Sequence, residues 1–512
     1  MMAAHECIAI LDFGSQYTQL IARKVREEQV YCEILPYNIS VAELKGKNVK
    51  GIILSGGPKS VYDENAFKCA DGLFDMAVPV LGICYGMHLL VEDMGGKVRH
   101  ADKREYGKAN ILIDGESEFF SGVDSGSVVW MSHGDSVESL PEGFVGIAHT
   151  DDTSYAAIQH GDVFGVQFHP EVAHSQFGKA MIHNFLFKIC GVHGDWTMKS
   201  FVEHAISEIK SRVGDRKVIC ALSGGVDSSV TAALLQRAVG ENLTCIFVNN
   251  GLLRLGEENG VRDTFENSFK VNLDVVKAED RFLEKLKGVT DPEEKRKIIG
   301  HEFIAIFEEE SQKLGHVDYL AQGTLYPDII ESQSLTNPSA KIKSHHNVGG
   351  LPEVMKLDLV EPLKELFKDE VRVLGEELGL SHEMVYRHPF PGPGLAIRVL
   401  GEVTHERLET LRQADAIAIE EIRKANLYDS IWQAFVVLLP VKTVGVMGDD
   451  RTYENVAALR CVNSTDGMTA DWFPFPHDVL AKIANRVINE VRGVNRMVYD
   501  ITSKPPGTIE WE

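Results

Sequence analysis

The sequence predicts an α/β protein of two successive sheet-and-helix units followed by a smaller α+β unit, and three observations carry that prediction. Short runs rich in valine and isoleucine recur, several ending in glycine: CIAILDFG, VKGIILSGG, VPVLGICYG and VFGVQFHPE before residue 190, then KVICALSGG, CIFVNNGLL and VDYLAQGTL. With helical stretches such as QLIARKVREE between them, such runs are the pattern of parallel strands buried on both faces. The pattern restarts near residue 195, where the helical segment MKSFVEHAISEIKSRVG leads into KVICALSGG. Finally, HPFPGPGLAIR at 388–398 cannot be a regular helix, because proline lacks the amide proton and its ring clashes with the preceding turn. The expected domains are therefore 7–195, 196–387 and 388–512. The last is expected to hold a strand in FVVLLPVKTVGVM and a helix around DVLAKIANRVINEVRG.

Composition narrows the function classes. At 512 residues the chain exceeds one core, and 44% hydrophobic with 25% charged residues is the balance of a globular enzyme rather than a fibrous or disordered protein. The net charge of −23, with no local basic patch, repels nucleic acid and anionic membrane, so neither is an expected partner. MMAAHECIAILDFGSQ carries acids where a signal peptide would be basic or apolar, so a cytoplasmic location is expected. Eight cysteines are dispersed without a CxxC pair, which suggests neither a zinc site nor a disulfide framework.

Two glycine-rich elbows carry the chemistry. In the first, VPVLGI, Cys84-Tyr85-Gly86 and MHLLVEDMGG read as strand, sharp turn and helix. The turn lifts the thiol out of the sheet toward the positive end of a helix, a setting that favours a nucleophilic thiolate. His169 in VQFHPE follows a later strand, and Glu171 two residues on can orient its imidazole, giving a nucleophile, a base and an orienting acid. An oxyanion needs preorganised N–H donors, for which Gly57, in the loop after KGIIL, and Tyr85 are the candidates. Taken singly, Cys84 and His169 would also suit buried core positions. The elbow and the HPE run together are what point to chemistry.

These residues resemble the class I glutamine amidotransferases over about 7–190. The resemblance implies hydrolysis of glutamine to glutamate through a thioester on Cys84, freeing ammonia. The family's GICYGMQ is GICYGMH here, so His88 replaces a glutamine that ordinarily helps bind substrate.

The second elbow is SGGVDSS. No GxxxxGK[ST] occurs, so this is not a Walker-type site. Strand KVICAL ends at Ser223, Gly224 and Gly225 let the backbone approach an anion, and after Val226 and Asp227, Ser228 and Ser229 stand in the opening turn of a helix whose N–H groups point the same way. Asp227 can hold Mg²⁺ on bound phosphates. A strand–helix turn with serine caps has the same local composition. The loop resembles the PP-loop of ATP pyrophosphatases, which cleave ATP between the α and β phosphates and leave AMP on an acceptor oxygen.

With an amidotransferase upstream, the chain resembles the GMP synthetase family along nearly its whole length: QGTLYPDIIES (322–332), SHHNVGGLP (344–352), HPFPGPGLAIR, VGVMGDDRTY (444–453) and SKPPGTIEWE (503–512). A departure is Asn249 in VNNGLLR, where bacterial members often carry aspartate beside the adenine pocket. The resemblance implies xanthosine 5′-monophosphate (XMP) as acceptor, with Arg296, Gln433, Asp449, Arg451, Lys504, Ile509 and Glu510 as its contacts, and ATP with Mg²⁺ at the PP-loop. It also implies a lid over ATP at 356–372, whose lysines and acids have helical spacing, and a homodimer through the third domain. Other PP-loop ligases that use amide nitrogen differ in the terminal segment, and a regulator that had lost the chemistry need not retain Cys84, His169, Glu171 and Asp227.

Overall fold

The computed structural model describes residues 5–333, 357–447, 450–464, 467 and 469–512. It forms two compact units, Met1–Phe201 and Val202–Glu512. Among the described residues no helix is long and apolar enough to cross a membrane.

The first unit is built on nine strands: β1 (Cys7–Asp12), β2 (Tyr31–Pro36), β3 (Val49–Leu54), β4 (Val80–Ile83), β5 (Lys97–Ile113), β6 (Ser127–Ser139), β7 (Val145–His149), β8 (Ala157–His160) and β9 (Val163–Val166). They line up as β2-β1-β3-β4-β9-β8-β7-β5-β6. From β2 to β9 the pairing is parallel, as the apolar runs predict. From β9 onward it is antiparallel, a half that the parallel-strand reading does not anticipate. The reason is legible in β6, whose residues alternate buried and half-buried along most of its length: a sheet with one wet face leaves no continuous apolar run. Helices α1 (Thr18–Glu27), α2 (Val41–Lys45), α3 (Tyr85–Asp93) and α4 (Gly178–His183) are connections of this unit. α2 starts at a capping box in which the Ser40 hydroxyl accepts from the Glu43 amide and Glu43 reaches back to the Ser40 amide.

After α5 (Met198–Val213), the second unit holds a parallel sheet of β10 (Val218–Ala221), β11 (Leu243–Asn249), β12 (Asn272–Lys277), β13 (Tyr319–Ala321) and β14 (Asp358–Val360), ordered β12-β11-β10-β13-β14. Helices α6 (Val226–Val239), α7 (Glu257–Arg262), α8 (Glu279–Leu286), α9 (Pro292–Lys313) and α10 (Tyr326–Gln333) connect it. α9 begins where Asp291 accepts from the Glu294 amide and Pro292 takes the first turn, a position that needs no amide proton. A second sheet follows, in which β15 (Gln433–Met447) pairs antiparallel with β16 (Asp450–Asn463), and β16 pairs with β17 (Asp471–Trp472) and β18 (Val494–Asp500). The two sheets share one apolar core: Ile246 and Val248 of β11 belong to the same cluster as Leu408 and Leu411 of the helix His405–Lys424, Val436 of β15 and Leu459 of β16.

The helical spacing read over 356–372 is not realised as one helix. Asp358–Val360 pairs as a strand beside β13, and the helix begins only at Lys368, running to Glu377. Pairing with β13 outweighs the local helical pattern there. SHHNVGGLP falls outside the described residues.

Candidate active sites

Cys84 stands between β4 and α3 with φ 52° and ψ −105°, a left-handed conformation that costs a non-glycine residue on the order of 1–3 kcal/mol. The surroundings hold it there. Its amide donates to Val166 O at 2.8 Å, its carbonyl accepts from His88 N at 3.1 Å, and Gly86 N donates to Ser55 O at 3.1 Å. The flanking glycines are required by close approach: a Cβ on Gly82 would lie 2.6 Å from Gly86 O, and one on Gly86 would lie 2.4 Å from Leu54 O. The spacing Gly-x-Cys-x-Gly is therefore the condition for α3 to pack against β3 and β4 while presenting the thiol.

β9 leads into His169, whose Nδ1 donates to Glu171 Oε1 at 2.7 Å. The Glu171 side chain is fully buried. The loop is fixed by His169 N donating to Trp130 O at 2.9 Å and by Ser175 Oγ donating to His169 O at 2.6 Å. Burial opposes charge on this imidazole, but the Glu171 carboxylate and a hydrogen bond with Cys84 outweigh it, and its pKa lies well above the ordinary value. Cys84, His169 and Glu171 are thus brought together from segments more than eighty residues apart in sequence, in the geometry of a nucleophile, a proton carrier and an orienting acid.

Cys84 and His169 open onto a cavity of about 590 Å³ that Gly57 and Tyr85 also line. Tyr85 is the first residue of α3, so its amide has no carbonyl of its own helix to bond. The cavity contains residues that the motif reading missed. Asp135 on β6 accepts from Ser60 Oγ at 2.5 Å, Tyr62 OH at 2.7 Å and His100 Nδ1 at 3.2 Å. Burial raises this carboxyl, yet those hydrogen bonds outweigh it and hold it below the usual range. A buried carboxylate in such a site suits the ammonium of an amino acid. The available signal was SHGD at 132–135, polar residues alternating on a strand.

His88, the departure from the amidotransferase pattern, is buried and donates from Nε2 to Gln167 Oε1 at 2.6 Å. Burial lowers its pKa to about 4, so it is neutral at physiological pH. Gln167, also unflagged by the sequence, is fully buried and donates from Nε2 to Cys84 Sγ at 3.8 Å.

In the second unit the SGGVDSS loop follows β10 and opens α6, with Gly225 at the helix N-cap and Gly224 at φ 74°. Ser228 Oγ accepts from Ser223 N at 3.2 Å and donates to Gly225 O at 3.1 Å, while Ser223 Oγ lies 3.0 Å from Ser228 Oγ and accepts from Gly225 N at 3.3 Å. Val226 and Ser229 are buried in the first turn of α6. Arg387 donates to Gly224 O and pairs with Glu257 at 2.6 Å, tying the loop to α7. Asp227 receives Lys368 Nζ on both carboxylate oxygens at 2.6 Å. A Cβ on Gly323, of the QGTL segment, would lie 3.1 Å from the Asp227 carbonyl carbon, so that glycine permits close approach. No group of three or more metal-ligating side chains occurs among the described residues. Mg²⁺ commonly takes one or two carboxylates and completes its shell with phosphates and water, so the single carboxylate of Asp227 fits a cation that arrives with nucleotide. Asn249 donates to Glu258 Oε2 at 2.5 Å and accepts from Gly251 N at 3.0 Å, while its carbonyl accepts from Ala278 N at 2.9 Å.

The residues expected around a nucleoside monophosphate are only partly gathered. Gln433 Nε2 donates to Glu510 Oε1 at 2.8 Å and to Pro389 O at 3.1 Å, and Glu510 is held by Arg398 at 2.8 Å. Arg296 donates to Glu512 O at 2.6 Å. Lys504 Nζ donates to Gly467 O at 2.7 Å, and Ile509 packs with Phe435 and Val437. Arg451 is exposed on β16 opposite Val446, and Asp449 lies outside the described residues.

Residues 9–189 match the class-I glutamine amidotransferase family, 216–278 the tRNA methyl transferase HUP domain and 420–511 the GMP synthase C terminal domain. The glutamine-hydrolysing GMP synthase of Clostridium tetani is 58% identical to this chain over 509 residues, covering 99% of each. The chain belongs to the glutamine-hydrolysing GMP synthase family. Other GMP synthases tell the same: that of Nitratiruptor sp. is 59% identical over 511 residues, covering 99% of each, and that of Thermosynechococcus vestitus is 58% identical over 516 residues, covering 99% of this chain and 96% of its own. As a GMP synthase the chain is an amidotransferase-type ligase, and its α/β fold combines a class I amidotransferase domain, a HUP-type domain around the phosphate loop and a GMP synthase C-terminal domain.

Proposed function

We propose that the chain makes GMP from XMP, ATP and glutamine, releasing AMP, diphosphate and glutamate, with the two half-reactions divided between the cysteine elbow and the phosphate loop. The observation that carries this reading is that both elbows occur in one chain, with Cys84, His169 and Glu171 joined by hydrogen bonds at the first. In the first half-reaction the Cys84 sulfur attacks the side-chain carbonyl carbon of glutamine. Amides of Gly57 and Tyr85 receive the oxyanion, His169 delivers a proton to the leaving nitrogen, and ammonia departs; water then releases glutamate from the thioester. Asp135 takes the substrate's α-ammonium group. In the second, the C2 oxygen of XMP attacks the α-phosphorus of ATP, diphosphate leaves, and ammonia displaces AMP from C2.

In this reading Ser223, Gly224, Gly225, Val226, Asp227, Ser228 and Ser229 hold the phosphates, and Asp227 holds Mg²⁺, which supplies charge neutralisation on them. Lys368 must release Asp227 for that, and the stretch 356–372 that carries it serves as the lid. Gln433 and Glu510 face the purine edge, while Arg296, Arg451, Lys504, Asp449 and Ile509 complete the XMP site. The domain limits proposed are 7–195, 196–387 and 388–512. A cytoplasmic location is supported by eight cysteines without disulfide spacing, and cell fractionation tests it. Incubation of the purified chain with the three substrates and Mg²⁺ is expected to yield GMP, AMP and glutamate in equal amounts; diphosphate without GMP would overturn the choice of acceptor.

A homodimer through the second sheet is supported by an apolar patch on the β15–β16 ribbon. Val444 is 50% exposed opposite Tyr453, 61% exposed, and Val446 two residues on is 73% exposed. Apolar side chains so placed mark an association surface. Light scattering is expected to give twice the 56.7 kDa chain mass, and Val446→Lys with Tyr453→Lys is expected to halve it. A monomeric wild type at micromolar concentration would sink the idea.

A further inference from the structure

We propose that His88 and Gln167 act as a positioning pair for the Cys84 sulfur, with His88 locking the Gln167 carboxamide so that its nitrogen rather than its oxygen faces the nucleophile. The proposal rests on the reading of Cys84 as the nucleophile. Gln167 is fully buried on the strand end that leads into His169, and its two amide atoms have different partners: Oε1 accepts from His88 Nε2 at 2.6 Å, and Nε2 donates to Cys84 Sγ at 3.8 Å. A carboxamide has one acceptor end and one donor end, so the partner at one end dictates what the other presents. Were the amide reversed, its carbonyl oxygen would confront the sulfur just as the latter becomes anionic on passing its proton to His169. A neutral imidazole with its proton on Nε2 prevents that reversal, and the lowered pKa of His88 agrees with such a form.

The ionisable groups beside the pair are His133 and Asp135 on β6, which act on His88, and His169, which lines the same cavity and is held by Glu171. Among the described residues the Gln167 carboxamide bonds to His88 at its oxygen and to Cys84 at its nitrogen, so the orientation falls to His88. The consequence differs from that of a residue whose task is to bind the substrate. Losing the pair should slow the attack while leaving glutamine affinity in place.

The test is steady-state glutamine hydrolysis by the full chain, with near-ultraviolet circular dichroism as the folding control. Gln167→Leu and His88→Leu are each expected to lower kcat about tenfold, the scale of one hydrogen bond to a developing charge, with KM within about twofold. His88→Gln, which can donate to the same oxygen, is expected to restore kcat. A rise in KM at unchanged kcat, or no effect of either leucine variant, would overturn the proposal. Nitrogen-15 NMR supplies a readout independent of turnover: His88 should stay neutral, with its single proton on Nε2, down to pH near 4 and titrate at clearly higher pH in Gln167→Glu, where a carboxylate replaces the amide. A neutral His88 carrying its proton on Nδ1 rather than Nε2 in wild type would refute the contact itself, because Nε2 could then not donate to the Gln167 oxygen. Failure of the underlying reading is seen separately, as full glutamine hydrolysis by Cys84→Ala, and leaves the His88 tautomer to decide on the pair.

Discussion

Cys84→Ala is expected to lower glutamine-dependent GMP formation by about 10⁴-fold or more, on the scale of removing a catalytic nucleophile, while ammonium-dependent formation stays within about twofold. The thiol makes the covalent bond in the proposed thioester, and neither His169 nor Glu171 can substitute for it. Alanine occupies the same strained backbone, because the left-handed conformation at φ 52° penalises both residues alike and is imposed by the hydrogen bonds of the elbow. The sheet and α3 should therefore persist. Ammonium bypasses the first unit, so its use reports on the second alone. Near-normal glutamine use by the variant would place the nucleophile elsewhere, and equal loss with both nitrogen sources would show that the substitution damages more than the cysteine site.

The second large effect is expected from Asp227→Asn, which keeps the shape of the side chain and removes its charge. GMP formation should fall by about 10²–10³-fold with glutamine and with ammonium alike, the scale of losing one group aimed at transition-state charge. Adenylation precedes amination in the proposed sequence, so no nitrogen source can bypass it. The substitution also strips Lys368 of the carboxylate that holds it at 2.6 Å on two oxygens, leaving an ammonium at the mouth of the loop. Freed, that lysine is drawn to nucleotide phosphate, so affinity for ATP should hold even as turnover collapses. A variant that turns over normally with ammonium would remove Asp227 from the chemistry.

These two residues were legible because each lies in a strand–turn–helix segment whose function is local. Glycines at 82 and 86 are demanded by contacts with Leu54 and with the turn itself, and Gly224 by its positive φ, so spacing alone identifies both elbows. The parallel strands were equally readable as continuous apolar runs. The antiparallel half from β5 to β8 was not, since a strand with one wet face shows only alternation. At 356–372 a helical pattern lost to pairing with β13, because an available sheet edge outweighs modest helix preference.

What the sequence by itself determined is the kind of chemistry: a cysteine on a strained turn with a histidine and a glutamate to serve it, and a glycine-serine loop at a helix N-terminus. What only the tertiary structure decided is who stands beside those groups. Gln167 reaches His88 across 79 positions, Lys368 reaches Asp227 across 141, and Asp135 enters the cysteine cavity from a strand at the far edge of the sheet order. Local geometry follows from backbone sterics and close packing within a few residues. Neighbours across the fold follow from strand order and register, which no short-range periodicity encodes.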